Sequence, residues 1–235
     1  MAKPKKQIHV VELALDTTGE DNRRIEGVLE AAKRLINTTL QDGLGIVDAI
    51  RNDPAWDAAR KMPRGATGPQ ATDQQRAAHK ARLDAFNAVL VAHRFSDANF
   101  QHIAIEHKNA AGFQDRIGSH IAQKLGTRVF NSCQEYLWDH RGRPRFKGIK
   151  RPLHSIESKN NATMLHWDSE NFRLVLNKNW SIAIVDKHST LKKDEWLWIA
   201  LARQGEILSS RAALYRNQSG LPLLCAIGDG WACAV

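Results

Sequence analysis

The sequence has few cysteines, no membrane-length apolar run and no metal-binding histidine pattern. Its three cysteines are Cys133, Cys225 and Cys233, and an odd, widely spaced set fits neither a disulfide framework nor a C-x-x-C zinc site. The N-terminus lacks the apolar core of a signal peptide. The ten histidines form no H-x-x-x-H or H-E-x-x-H set. We therefore expect a cytoplasmic protein with no metal site and no membrane partner.

One stretch, residues 141–151, is dense in basic residues and contains no acid, and we call it the basic loop. Its cations are Arg141, Arg143, Arg145, Lys147, Lys150 and Arg151. Pro144 and two glycines exclude a helix there and favour an extended backbone. The whole chain carries a formal net charge of +9, which indicates a polyanionic partner. Lysine and arginine displace counterions from phosphates, and Phe146 can stack on a base. A solvated charged loop is the alternative.

The first half of the chain predicts one strand followed by helices. Alternation and β-branched residues indicate a strand over 7–15, and Asp21 or Asn22 is expected to cap the first helix. The apolar periodicity predicts helices over 22–41, 44–52, 55–61, 73–93, 97–107 and 114–138. The prolines and glycines of residues 62–72 indicate a loop.

After the basic loop the pattern changes to short apolar runs separated by polar turns. The runs predict strands over 163–167, 171–176, 180–185, 196–201, 212–216 and 221–228. Their even spacing favours a small antiparallel sheet or barrel. The simplest topology joins the first strand to these late strands, with the helices as an insertion, which makes the fold α+β. Two independent domains are the alternative.

A family resemblance enters in the middle of the chain. Residues 119–125 open a helix, Tyr136 and Trp138 lie at its aromatic end, and an Arg-Pro-Arg-Phe-Lys-Gly segment follows at 143–148 before the strand series. Over about residues 119–185 the sequence resembles the TnpB family of transposon-encoded RNA-guided nucleases and the related type V CRISPR effectors. Upstream, only the order of strand and then helices agrees.

The resemblance implies a wedge domain, an oligonucleotide-binding-like antiparallel β-barrel, with a helical recognition domain inserted after its first strand. It divides the chain into residues 1–18 as the first barrel strand, 19–140 as the recognition domain and 141–235 as the remainder of the barrel. The implied partners are a guide RNA and a target double-stranded DNA. In such proteins base pairing reads the sequence, while the protein reads shape and a short target-adjacent motif.

Two sets of site residues are predicted. The set expected on the RNA or DNA backbone comprises Lys5, Lys6, Lys124, Arg128, Arg141, Arg143, Arg145, Phe146, Lys147, Lys150 and Arg151. The set expected to read the target-adjacent motif is His120, Gln123 and Thr127, a polar stripe at helical spacing. A glutamine can pair with adenine, and a threonine can touch a thymine methyl group. The alternative for this stripe is a solvated helix face.

The nuclease part of the family pattern is not seen in this sequence. A RuvC-type nuclease needs several carboxylates around two metal ions, and the printed sequence ends at Val235 with only a faint echo around Asp229. We therefore expect no catalytic residues here, and Mg²⁺ only where a nuclease domain is supplied by further residues or another chain. The alternatives are a guide-independent transcriptional regulator or RNA-binding protein, and the N-terminal part of an active RNA-guided endonuclease.

Overall fold

The computed structural model describes residues 11–159, 164–168, 171, 173–177, 179–183, 211–216 and 222–227. These residues form an α+β fold, as the sequence predicts. The helices are α1 (Gly19–Arg51), α2 (Pro54–Lys61), α3 (Asp73–Ala92), α4 (Asp97–Ala110) and α5 (Ser119–Leu137). The strands are β1 (Val11–Ala14), β2 (Ser155–Glu157), β3 (His166–Asp168), β4 (Arg173–Asn177), β5 (Trp180–Ala183), β6 (Arg211–Arg216) and β7 (Pro222–Ile227).

The strands form two antiparallel sheets. The first has the order β1-β7-β6-β2, and the second has the order β3-β4-β5. Val11 of β1 lies opposite Ala226 of β7, so all five helices of the described chain are inserted in sequence between two paired strands. The Asp16 N–H donates to the Ala183 carbonyl at 2.8 Å, which ties the chain after β1 to the second sheet. The strand predicted over 196–201 lies outside the described residues.

Helix α1 is continuous where the sequence predicted two helices with a break near residue 43, so that prediction was wrong. Gly43 lies between the two predicted helices, and a glycine inside a helix costs about 1 kcal/mol relative to alanine. The glycine is buried, and a Cβ there would lie 2.6 Å from Cε1 of Phe100. Gly43 therefore serves the packing of α1 against α4, and the helix continues through it.

The N-terminus of α1 also differs from the prediction. Thr18 is the N-cap, and its Oγ1 accepts from the Asp21 N–H at 3.1 Å. Asp21 Oδ2 accepts in return from the Thr18 N–H at 3.0 Å. This reciprocal pair is a capping box, which places Asp21 in the third helical position. Neither Asp21 nor Asn22 is the N-cap, because the Thr18 hydroxyl accepts the free N–H of the first turn.

The core is centred on the contact of α1, α4 and α5. Phe100 of α4 is fully buried, and a Cβ at Gly126 of α5 would lie 2.6 Å from the Phe100 carbonyl oxygen. Cys133 is buried beside Gly43, and burial raises the pKa of its thiol to about 12. The thiol is therefore protonated at neutral pH and a poor nucleophile.

None of the helices in the described part of the chain is both long enough and apolar enough to cross a lipid bilayer.

Candidate nucleic-acid interface

The basic loop begins at a sharp turn that ends α5. The His140 N–H donates to the Glu135 carbonyl at 2.8 Å, and the Asp139 N–H donates to the Tyr136 carbonyl at 3.1 Å. These two bonds form a Schellman motif, in which the residue after the C-cap adopts the left-handed conformation. Asp139 does so with φ of 57°, a conformation that aspartate tolerates better than most residues. The chain is thereby turned from α5 into the loop.

The Asp139 side chain fixes this turn to two other helices. Its Oδ1 lies 2.7 Å from Nη2 of Arg51, and its Oδ2 lies 3.3 Å from Nη2 of Arg60. Arg51 is the last residue of α1, and its guanidinium also lies 4.1 Å from the centre of the Tyr136 ring. The start of the basic loop is therefore held against the C-terminal ends of both α1 and α2.

Two further contacts anchor the loop along α1. Arg143 makes a bidentate ion pair with Asp48, with both N–O distances at 3.0 Å. The Asn37 side chain donates to the Lys147 carbonyl and accepts from the Lys147 N–H, each at 2.8 Å. Asn37 and Asp48 are eleven residues apart, about three helical turns, and so share one face of α1. The loop therefore runs antiparallel to α1 and is fixed to it at residues 143 and 147.

Arg143, predicted to contact phosphate, forms part of this anchor. Its hydrogen bond to Asp48 raises the pKa of the guanidinium above its usual range. The same group lies 5.8 Å from the centre of the Tyr136 ring. The Asp48 carboxylate already binds both terminal nitrogens of the guanidinium. In this structure Arg143 therefore anchors the basic loop to α1. A phosphate contact by Arg143 stays a prediction.

The remaining cations of the loop are directed to solvent. Arg145, Lys150 and Arg151 are exposed and have no ion pair with any residue that the structure describes. Arg141 is different, because its Nε lies 3.1 Å from Oε2 of Glu135. Sequence reasoning placed all of these cations in one class. The structure separates Arg141 and Arg143, which carboxylates compensate, from three exposed cations that are available to a polyanion. Lys147 is half-buried and has no ion pair in the described structure.

Two apolar side chains lie among these cations. Phe146 is 51% exposed, and Ile149 is 97% exposed. Ile149 occupies the tip of a tight turn that the Arg151 N–H closes on the Gly148 carbonyl at 3.1 Å. An exposed aromatic ring between cations suits stacking on an unpaired base. Ile149 was absent from the predicted site, although its position in a glycine-flanked basic run was a usable signal.

A groove with a volume of about 550 Å³ is lined by residues of the basic loop, α1 and α5. We call it the loop groove. Its apolar floor consists of Ile36, Leu40, Val129 and Leu153. Arg141, Arg145 and Lys147 line its rim, and the one acidic residue among its lining residues, Glu135, is held by Arg141. The groove is thus an open, cationic channel beside the anchored loop.

Lys124 and Arg128, also predicted on the nucleic-acid backbone, face β2. Glu157 Oε1 lies 3.3 Å from Lys124 Nζ and 3.8 Å from Arg128 Nε. Arg128 Nη1 also donates to the Ser155 carbonyl at 2.9 Å. One carboxylate therefore compensates two cations and joins α5 to the first sheet. Their partner lies some thirty residues further along the chain, so sequence spacing on α5 alone did not reveal it.

The polar stripe of α5 is half-buried. The neighbouring apolar positions Ile121 and Leu125 are buried. Among the polar positions, Thr127 Oγ1 accepts from Nε2 of Gln101 on α4 at 3.1 Å. Helix α4 packs alongside α5 and covers part of the helix face that was expected to be exposed to solvent. Motif reading by His120, Gln123 and Thr127 stays a prediction.

Lys5, Lys6 and Asp229 lie outside the described residues. Within the described ranges, no three histidine, cysteine, aspartate or glutamate side chains gather as a metal site. The sequence matches no known family model, and no curated protein is found as a relative.

The Asn37 contacts lead to a prediction about loop order. In Asn37→Ala, the Lys147 N–H and carbonyl lose their partners, at about 0.5–1.5 kcal/mol per hydrogen bond. We expect faster hydrogen exchange at the Lys147 amide, because the loop loses this anchor to α1. Thr38→Ala is the matched control, since the Thr38 hydroxyl bonds only carbonyls of its own helix. Equal exchange rates in both variants would contradict the anchoring role.

Proposed function

We propose that this chain is an RNA-guided DNA-binding module of the TnpB type. It holds the scaffold of a guide RNA with the basic loop and the loop groove. It recognises a short motif beside the DNA target with the polar stripe of α5. In this proposal the module binds its target without a nuclease centre among the residues that the structure describes.

Three exposed cations on an anchored loop, Arg145, Lys150 and Arg151, carry this proposal. Exposed like charges repel one another, and a protein surface ordinarily mixes its signs. Here the acids near the loop, Asp48 and Glu135, are already paired with other arginines. The uncompensated charge suits a chain of phosphates, from which counterions are released on binding. Because the loop is fixed to α1 before binding, little conformational entropy is lost on association.

The choice of RNA as the partner rests on two further features. Phe146 is exposed beside the cations, and aromatic stacking favours unpaired bases over a continuous duplex. The loop groove has an apolar floor and a cationic rim, which fits an irregular RNA with splayed nucleotides. The guide itself is supported by the resemblance of residues 119–185 to the TnpB family.

The same resemblance supports a finer assignment of the fold. We assign the strands of both sheets to one oligonucleotide-binding-like barrel, the wedge, and helices α1–α5 to the recognition domain. The pairing of β1 with β7 fits this arrangement, because a helical insertion must leave and re-enter the same β-structure. Cleavage of a target would then need carboxylates and Mg²⁺ from a nuclease domain supplied elsewhere.

Sequencing of co-purifying RNA tests the guide. Protein is purified at low salt, and its RNA is compared with the RNA recovered from an Arg145→Ala, Lys150→Ala, Arg151→Ala variant. One discrete, structured RNA that is depleted in the variant is expected. The purified protein with this RNA should then bind a double-stranded DNA in which one strand is complementary to the guide. Random fragments in both preparations would overturn the guide and favour guide-independent nucleic-acid binding.

A further inference from the structure

A second pocket lies at the other end of α1. Its volume is about 400 Å³, and it is bounded by the first turns of α1, the turn before α5 and the second sheet. We call it the sheet pocket. Residues 20–28 of α1 line it, whereas residues 36–40 line the loop groove, and the two cavities share no lining residue. The sheet pocket is therefore a separate site, which the basic loop does not reach.

The floor of the sheet pocket is apolar. Ile121, Ile156 and Leu165 are 1–2% exposed and belong to α5, β2 and the segment before β3. Pockets of 300–1,000 Å³ with a mostly apolar lining and a few placed polar groups are the usual sites of small ligands. The volume and the floor suit a planar or compact apolar group.

The rim of the pocket carries three arginines, Arg23, Arg24 and Arg116. Arg116 is exposed and has no ion pair with any part of the chain that the structure describes. Two acids, Glu20 and Asp115, also line the pocket, and the carboxylate of Asp21 lies near Arg24. The rim is thus close to balanced in formal charge, and the exposed Arg116 supplies the available cation. An anionic group at the rim is favoured over a neutral or cationic one.

Arg24 is held in place by an aromatic ring. Its guanidinium lies 4.4 Å from the centre of the Trp180 ring. The Trp180 Nε1–H donates to Asp21 Oδ1 at 2.7 Å, which fixes the ring against the start of α1. A cation positioned in this way needs little reordering to meet an anion. Asn177, whose Oδ1 accepts from the Asn179 N–H at 2.9 Å, supplies an amide at the pocket wall.

We propose that the sheet pocket binds one nucleoside monophosphate unit. The base rests on the apolar floor, Asn177 meets a polar edge of the base, and the phosphate lies among the rim arginines. The pocket chemistry specifies an amphipathic anion, and the choice of a nucleotide among such anions rests on the proposed function. The unit is either a free nucleotide or one nucleotide of a bound RNA strand.

A pair of glycines in α1 provides the test. Gly27 lines the pocket, and a Cβ there would meet no atom within 4 Å. A methionine at this position is a good helix former and would project into the pocket. Gly45 is exposed in the same helix, does not line the pocket, and is equally free of neighbours. Gly45→Met is therefore the matched control for Gly27→Met.

Adenosine monophosphate is titrated by calorimetry into wild type and both variants, with adenosine, inorganic phosphate and decanoate as separate arms. We expect saturable binding of adenosine monophosphate to wild type and Gly45→Met, and a loss of about tenfold or more in Gly27→Met. Arg116→Ala should weaken adenosine monophosphate binding about tenfold and leave adenosine binding unchanged. No binding, equal binding by all variants, or tighter binding of decanoate than of the nucleotide would overturn the proposal.

RNA titrations of the same variants separate the two sources of the nucleotide. A fall in RNA affinity with Gly27→Met places the nucleotide in the RNA strand, and unchanged RNA affinity places a free nucleotide in the pocket. Adenosine monophosphate binding without any RNA binding would leave the pocket intact and remove the proposed function. RNA binding that depends on Arg145, without any binding of adenosine monophosphate, would support the proposed function and overturn the proposal for the sheet pocket. Circular dichroism melts of each variant confirm that the fold is retained.

Discussion

Replacing Arg145, Lys150 and Arg151 together by alanine will weaken RNA binding and flatten its salt dependence. Each contact between a cation and a phosphate of a single strand contributes about 0.7 to the slope of log K against log salt. Loss of all three contacts should therefore lower the slope by about 2. Binding is measured by fluorescence anisotropy over a range of salt concentrations. The melting temperature should hardly move, because none of these side chains has an ion pair in the described structure.

A variant with Lys61 and Arg64 replaced by alanine and Arg94 replaced by asparagine is the matched control. It removes the same formal charge from exposed positions outside the basic loop, and none of the three has an ion pair in the described structure. Asparagine is used at Arg94 because the backbone there has a φ of 52°. General attraction between a basic protein and RNA would weaken equally in both triple variants. A local interface predicts a large change in slope for the loop variant and a small one for the control. Equal slopes would contradict the placement of the interface at the basic loop.

Gly126→Ala will destabilise the protein by about 2 kcal/mol or more. A Cβ at Gly126 would lie 2.6 Å from the carbonyl oxygen of Phe100 and 2.9 Å from the Cα of Gln101. Both atoms belong to the backbone of α4, so relief of the clash requires the two helices to separate. The better helix propensity of alanine, about 1 kcal/mol, offsets only part of this cost. The packing lost with separation includes the fully buried Phe100 ring.

Gly45→Ala isolates the propensity effect. A Cβ at Gly45 would meet no atom within 4 Å, so this variant should gain up to about 1 kcal/mol. The free energy of unfolding is obtained from urea titrations of both variants, with an unchanged m-value as the condition for comparison. Opposite signs are expected. A stable Gly126→Ala protein would mean that α4 and α5 are not in the close contact that the structure describes.

Local sequence signals determined the class of fold and the position of the charged loop. The apolar periodicity over 114–138 predicted a helix, and α5 spans Ser119–Leu137 with Ile121, Leu125 and Val129 buried. The prolines and glycines at 62–72 predicted a loop between α2 and α3, and no helix or strand forms there. The acid-free run at 141–151 predicted a non-helical cationic segment, which the structure contains. These features depend on residues within a few positions of one another, and so a linear pattern records them.

Tertiary structure decided which of the predicted site residues are available. Arg143 pairs with Asp48, from which it is separated by 95 positions, and Lys124 pairs with Glu157 across the contact of α5 and β2. Gly43 continues a helix because Phe100 fills the space where its side chain would be. In each case the partner comes from a distant segment brought close by packing of the core. A cation in a sequence carries the same charge everywhere, and only the folded chain determines whether a carboxylate already compensates it.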